Sequence, residues 1–280
     1  MDFGPEKRVH GAGWGRMHGG YFSDPEIARP LVEAVRSVVR ETRPDRIVDL
    51  GGGTGFLLAQ LRAAGGADAA FAVLDDSAPQ LAEAAKAGLA CVRGSAGSFR
   101  RAEVAPAGMR VLWLMRSVLH YAGESGLDPL LRHLRAQAAP GEWWVHQTAC
   151  FERREDAACL NALYRKMRTG KWYPTVAELQ ARLAAAGWRM EATRPAPTLH
   201  LDSADLGIRY GLNKEDLAAI RSETETECVG RSSAFRTTPA GFHADLHYRI
   251  FICRAAEGGS DGPRADGRAE GQPLHPAGIR

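Results

Sequence analysis

The sequence predicts an α/β fold, a doubly wound, mostly parallel sheet with helices on both faces. Three observations carry that prediction. The first is the glycine-rich turn Asp49-Leu50-Gly51-Gly52-Gly53-Thr54-Gly55, which follows the apolar run Ile47-Val48 and precedes a helical pattern with Leu57, Leu58 and Leu61. The second is Phe71-Ala72-Val73-Leu74-Asp75, an apolar run ending in an acid, about 20 residues after the turn, where a doubly wound fold places a ribose ligand. The third is Val111-Leu112-Trp113-Leu114-Met115, which reads as a buried parallel strand leading into a loop and a helix from Leu127 to Gln137. Ligands of such sheets bind outside the carboxyl ends of the strands.

The glycine turn lets backbone approach a ligand without a Cβ clash, and the helix after it offers unpaired N–H groups and a positive dipole end. A dinucleotide fingerprint requires a third glycine for close helix–strand packing, but Phe56 stands there. A Walker loop requires Gly-Lys-Ser/Thr, and no lysine is near. What remains, Asp-x-Gly-x-Gly-x-Gly, resembles motif I of the class I S-adenosylmethionine-dependent methyltransferases. The resemblance covers mainly Ile47 to Val145. It implies a Rossmann-like sheet of seven strands, the last antiparallel. It also implies S-adenosylmethionine as cofactor, S-adenosylhomocysteine as product, no metal, and a small organic acceptor, with O-methylation in bacterial secondary metabolism the leading expectation.

The cofactor residues follow by the same resemblance. Gly51, Gly53, Thr54 and Gly55 accommodate the amino-acid part, and Asp49 lies near its ammonium. Asp75 takes the ribose hydroxyls and Asp76 sits beside the adenosine, although Asp76-Ser77 also reads as a helix cap. Ser95 and Ala96 border the adenine, Ser95 standing where the family often has an acid. Arg116 lines the methyl end.

Met115 to Tyr121 should border the transferred methyl. His120 resembles the general base of small-molecule O-methyltransferases, but Tyr121-Ala122 follows where those enzymes carry Asp-Trp. Imidazole titrates near neutrality and suits a phenol or an acidic hydroxyl. A helix cap or pocket wall is the other reading of His120. His146, in a probable strand end after Glu142 to Val145, is the reserve base. The segment Met115-Arg116-Ser117-Val118 is unlike the Asn/Asp-Pro-Pro-Tyr/Phe of base and amide N-methyltransferases. Alternatives kept open are C- or N-methylation, cyclisation or decarboxylation without methyl transfer, and a non-catalytic binding protein.

The chain has 280 residues, 45% hydrophobic, enough for one sizeable core. Lys+Arg minus Asp+Glu is 36 − 33 = +3, so nucleic acid is not an expected partner. No apolar run is long enough to span a membrane. The five cysteines, odd in number and without a CxxC, read as free thiols of a reducing cytoplasm. Oligomeric state stays open, a homodimer among the alternatives.

Residues 1–40 read as an N-terminal segment that closes over the cofactor, with Trp14 or Tyr21 in contact and Asp24-Pro25 opening a helix. Residues 41–255 form the catalytic domain, and 256–280 a disordered tail. Trp172 and Tyr173 lie in an aromatic loop before Thr175, which caps a helix ended by Gly187. Both aromatics stack on a flat substrate or pack the loop. An insertion at about 199–235 reads as part of a substrate lid, with Arg209 and Tyr210 for an acidic or aromatic acceptor. On the last strand, alternation puts His243, Asp245 and His247 on one face. His243 reads as a pocket group, beside the alternatives of a metal ligand and a solvated face.

Overall fold

The computed structural model describes residues 18–65 and 68–257. Expectations for Trp14 and for the tail from 258 onward fall outside them. Helix α1 (Pro25–Thr42) starts at Asp24, whose side chain accepts from the Glu26 N–H, with proline in the first turn. The elements that follow alternate: β1 (Arg46–Leu50), α2 (Phe56–Ala63), β2 (Ala70–Asp75), α3 (Ala78–Lys86), β3 (Ala90–Arg93), the short α4 (Arg101–Val104) and β4 (Val111–Arg116). A 3₁₀ turn (Leu119–Ala122) leads into α5 (Gly123–Gln137), β5 (Trp143–Ala149), α6 (Arg154–Lys166) and α7 (Val176–Ala185). The chain closes with β6 (Trp188–Asp202), α8 (Ser203–Tyr210), α9 (Lys214–Cys228), β7 (Phe235–Thr238) and β8 (Gly241–Ala255).

The sheet order is β3-β2-β1-β4-β5-β8-β6. β1 to β5 are mutually parallel, and β8 runs antiparallel between β5 and β6. The expected architecture is therefore present, with an eighth strand: β7 pairs with the first residues of β8. Adjacent strand residues point to opposite faces, and each face has its own cover. Ile47, Val73, Leu112 and Val145 pack under α1, α2 and α3. Val48, Leu74, Trp113 and Met115 pack under α5 and α7.

One buried carboxylate ties the second face together. Glu142 accepts from both terminal nitrogens of Arg101 at 2.7 Å, from the Val111 and Ala139 N–H groups, and from the Trp113 indole. A buried acid persists when its oxygens are this fully hydrogen-bonded.

The departure from the minimal fold is a second core beyond the sheet. Tyr248 is the last β8 residue paired with β5, opposite Ala149. The seven residues before it, 241–247, continue past the end of β5, roughly 20 Å at strand rise. β6 follows them, and α6, α8 and α9 pack on this extension through Leu160, Leu163, Tyr164, Leu206 and Ile220, against Leu199, Phe242 and Leu246. The inserted helices begin at Ser203, because β6 continues through Asp202.

The expectation of five free thiols is corrected. α9 lies against α6, bringing Cys159 and Cys228 to a Cα separation of 5.5 Å in a disulfide. Only Cys91, Cys150 and Cys253 are free, so the cysteines no longer argue for a reducing compartment. Among the described residues no helix is long and apolar enough to cross a membrane.

Candidate active site

The carboxyl ends of β1, β2, β4 and β5 meet at one edge, and the glycine turn occupies the first of them. Gly51, Gly53 and Gly55 all have positive φ, a conformation that disfavours side chains. Space enforces the same choice at two of them. A Cβ on Gly51 would lie 2.6 Å from a Val118 methyl, and one on Gly55 would lie 2.2 Å from a Leu89 methyl. Thr54 is exposed at the apex.

Asp49 is buried beneath this turn, and its Oδ1 has no hydrogen-bond partner among the described residues. Burial, then the nearby Asp75 charge, pushes its carboxyl up to about 7, against the opposing pull of Arg116. Asp75 ends β2, its plane fixed by the Gly53 N–H at 2.9 Å and the Ser77 N–H at 2.8 Å. Asp76 is exposed, and Ser77 holds the N-cap position of α3 without a side-chain cap bond. Ser95 and Ala96 follow β3, half-buried, and Ser95 Oγ accepts from the Gly97 N–H.

Arg116 does more than line the edge. Its guanidinium donates to the Phe22 and Tyr21 carbonyls at 3.1 and 3.2 Å and lies over the Tyr21, Phe22 and Phe56 rings. It clasps the segment before α1 against the start of α2. Tyr21 is buried there, donating to the Pro197 carbonyl at 2.6 Å and accepting from Gln147 at 3.3 Å.

His120 is buried in the 3₁₀ turn after β4, its ring 4.2 Å from that of Tyr121 and 5.4 Å from that of Tyr173. His146 is placed where it cannot act as a reserve base. It lies mid-strand and fully buried, stacked between Trp144 at 4.1 Å and Phe251 at 5.0 Å. Neither ring nitrogen has a hydrogen-bond partner among the described residues, and burial lowers its pKa to about 3.

The aromatic loop divides its roles. Tyr173 is fully buried behind His120, its backbone bracketed by the Asn161 amide. Trp172 turns the other way, toward α7, with Arg182 over its ring. Trp172 is therefore a packing residue.

Arg209 and Tyr210 lie beside Tyr121 and Lys171. Arg209 is buried, bonded to His18 and donating to Tyr121 Oη at 3.4 Å. His243 does not reach the site. It lies on the outer face of β8 beside Asp202 at 3.4 Å, while Tyr248 points to the opposite, buried face. Asp245 on that outer face pairs with His200 and Arg236.

Sequence reasoning missed four residues at this edge. Ser117, after β4, has φ +64, a costly conformation for a residue with a Cβ. Its N–H donates to the Gln147 carbonyl, and its hydroxyl meets Tyr248 Oη at 2.5 Å. Gln147 is buried, with Oε1 lacking a partner among the described residues. Lys171, the fourth, stands in the loop after α6 with its ammonium over the Tyr121 ring at 4.8 Å. Only Tyr248 carried a usable signal, as the alternation partner of the polar face of β8.

No protein-family profile matches the chain, and no curated protein matches it in sequence. Solved structures do. YcgJ of Bacillus subtilis superposes with a TM-score of 0.60 at 12% identity, over 82% of this chain and 100% of that one. A Bacillus halodurans protein described as a methyltransferase gives 0.62 at 10% identity, over 81% and 99%. The 1,6-didemethyltoxoflavin-N1-methyltransferase of Burkholderia thailandensis, solved with bound 1,6-didemethyltoxoflavin and S-adenosylhomocysteine, gives 0.50 at 16% identity, over 84% and 81%. Strand order, the antiparallel β8 and these likenesses together give the chain the fold of the class I S-adenosylmethionine-dependent methyltransferases.

Proposed function

We propose that the protein transfers a methyl group from S-adenosylmethionine to an oxygen of a small organic acceptor. The observation that carries this reading is Asp49, a buried carboxylate with an unpartnered oxygen beneath a glycine turn that side chains would block. A buried acid held up to about 7 is costly to ionise alone, and a cationic ligand relieves that cost. Asp49 would hold the ammonium, Asp75 the ribose hydroxyls and Ser95 the adenine edge. Tyr21, held down by Arg116, closes the site from the N-terminal side. When bound, the cofactor supplies an electrophilic methyl and needs no metal.

The chain's own work is then to align the acceptor, exclude water and take a proton. His120 is the group we assign to the proton, with its ring fixed against Tyr121 and Tyr173. α8 and α9 form the lid on the acceptor side.

Calorimetry with S-adenosylmethionine and S-adenosylhomocysteine tests the cofactor assignment. Micromolar binding that Asp75→Ala abolishes is expected, and no binding by the wild type would overturn it. Accumulation of S-adenosylhomocysteine with phenolic acceptors tests the transfer, because a non-methylating use of the cofactor produces none.

A further inference from the structure

A cavity of about 500 Å³ opens between residues 166–171, at the end of α6 and in the loop after it, and the helices α8 and α9. This volume accommodates a small organic molecule. Its lining includes Tyr121, Lys171 and Tyr210, with Arg168, Asp216 and Glu223 also on the wall. Asp216 and Glu223 are exposed, so they stand at the rim, and Glu223 lies 3.7 Å from Lys166. The inner wall is different. Lys171 is only 7% exposed. Its ammonium donates to Tyr210 Oη at 2.8 Å and sits over the rings of Tyr121 at 4.8 Å, Tyr210 at 5.3 Å and Tyr164 at 5.7 Å.

The Tyr121 and Tyr164 rings and the Tyr210 hydroxyl surround this ammonium as it is withdrawn from water, and a ring face attracts a cation through its quadrupole. Tyr121 links this charge to the reaction site. It follows His120 in the chain, and its hydroxyl accepts from the buried Arg209. Two buried cations therefore flank the same tyrosine, and charges withdrawn from solvent attract an opposite charge more strongly than surface ones do.

We propose that the acceptor carries an anionic group, of carboxylate type, which Lys171 binds in this cavity while the acceptor's hydroxyl end lies toward His120. Lys171 is thus a specificity-determining residue, with Arg209 supporting the same polarity. The inference rests on the methyl-transfer reading for the direction in which the acceptor lies, but anion binding at Lys171 does not require it.

The test titrates 4-hydroxybenzoate and its neutral counterpart 4-hydroxybenzamide into wild type, Lys171→Met, Lys171→Gln and Lys171→Arg, with and without saturating S-adenosylhomocysteine. The wild type is expected to prefer the carboxylate by about tenfold or more, the order seen for desolvated charge pairs. Lys171→Met and Lys171→Gln should bring the two probes level, and Lys171→Arg should keep most of the preference. The glutamine variant guards against misfolding of the methionine one. Equal binding of the two probes by wild type, no binding of either up to about 10 mM, or a preference unchanged in both neutral variants overturns the proposal. S-adenosylhomocysteine titrated into the same samples keeps the two readings apart. Its failure to bind, with the carboxylate preference intact, overturns the cofactor assignment and leaves the anion site standing.

Discussion

Asp49 and His146 lie on neighbouring parts of one sheet and bend stability with pH in opposite senses. Asp49 has a folded value of about 7 against an ordinary 3.8. The fold keeps a proton that the unfolded chain gives up, so stability from this group falls as pH rises from 3.8 to about 7. His146 has a folded value of about 3 against an ordinary 6.5, and its stability is lost as pH falls through that window. Thermal melts should show the two opposing between about pH 4 and 6.5. Asp49→Asn is expected to leave a profile that rises with pH, and His146→Phe one that falls; parallel profiles would refute the assignment. Asp49→Asn should also weaken S-adenosylmethionine binding by about tenfold or more and remove the tightening of binding as pH rises through about 7. Glu142→Ala leaves Arg101 and three other donors without their acceptor, and denaturant unfolding should register a loss of roughly 3–5 kcal/mol. Glycine spacing and an acid at the end of an apolar run are local signals, so Asp49 and Asp75 were legible in the sequence. The burial of His146 was not, because a histidine after an apolar run reads the same mid-strand as at a strand end.

At the scale of elements, the helices and first strands were legible because their caps are local. Asp24 and Thr175 both make the cap bonds that their positions implied. β6 was not, because Pro195, Pro197 and scattered charges break its alternation, which an edge strand tolerates. The Cys159–Cys228 pairing was also hidden, since a separation of 69 residues carries no spacing signal. Several ties hold α9 and the turn after it to α6: that disulfide, Lys166 with Glu227, and Asp156 accepting from Ser232 and Ser233 of the turn. Replacing both cysteines by serine should cost roughly 2–4 kcal/mol. Thiol titration of the unfolded, unreduced wild type should find three reactive groups, the three free cysteines. A count of five would mean the pair is reduced.

At the scale of the molecule, the sheet ends on one side in the four-residue β3 and on the other in the fifteen-residue β6. A long outer strand is an open template for pairing with other chains. Here the template is spoiled along its length. Pro195 and Pro197 offer no N–H, and the register shifts between Met190 and Ala192 and between Ala196 and Leu199. The prolines thus act as insulation as well as structure. Pro195→Thr/Pro197→Thr should leave the melting midpoint nearly unchanged yet raise thioflavin-positive aggregation on agitation. An unaltered aggregation rate would show that the bulges alone keep this margin closed.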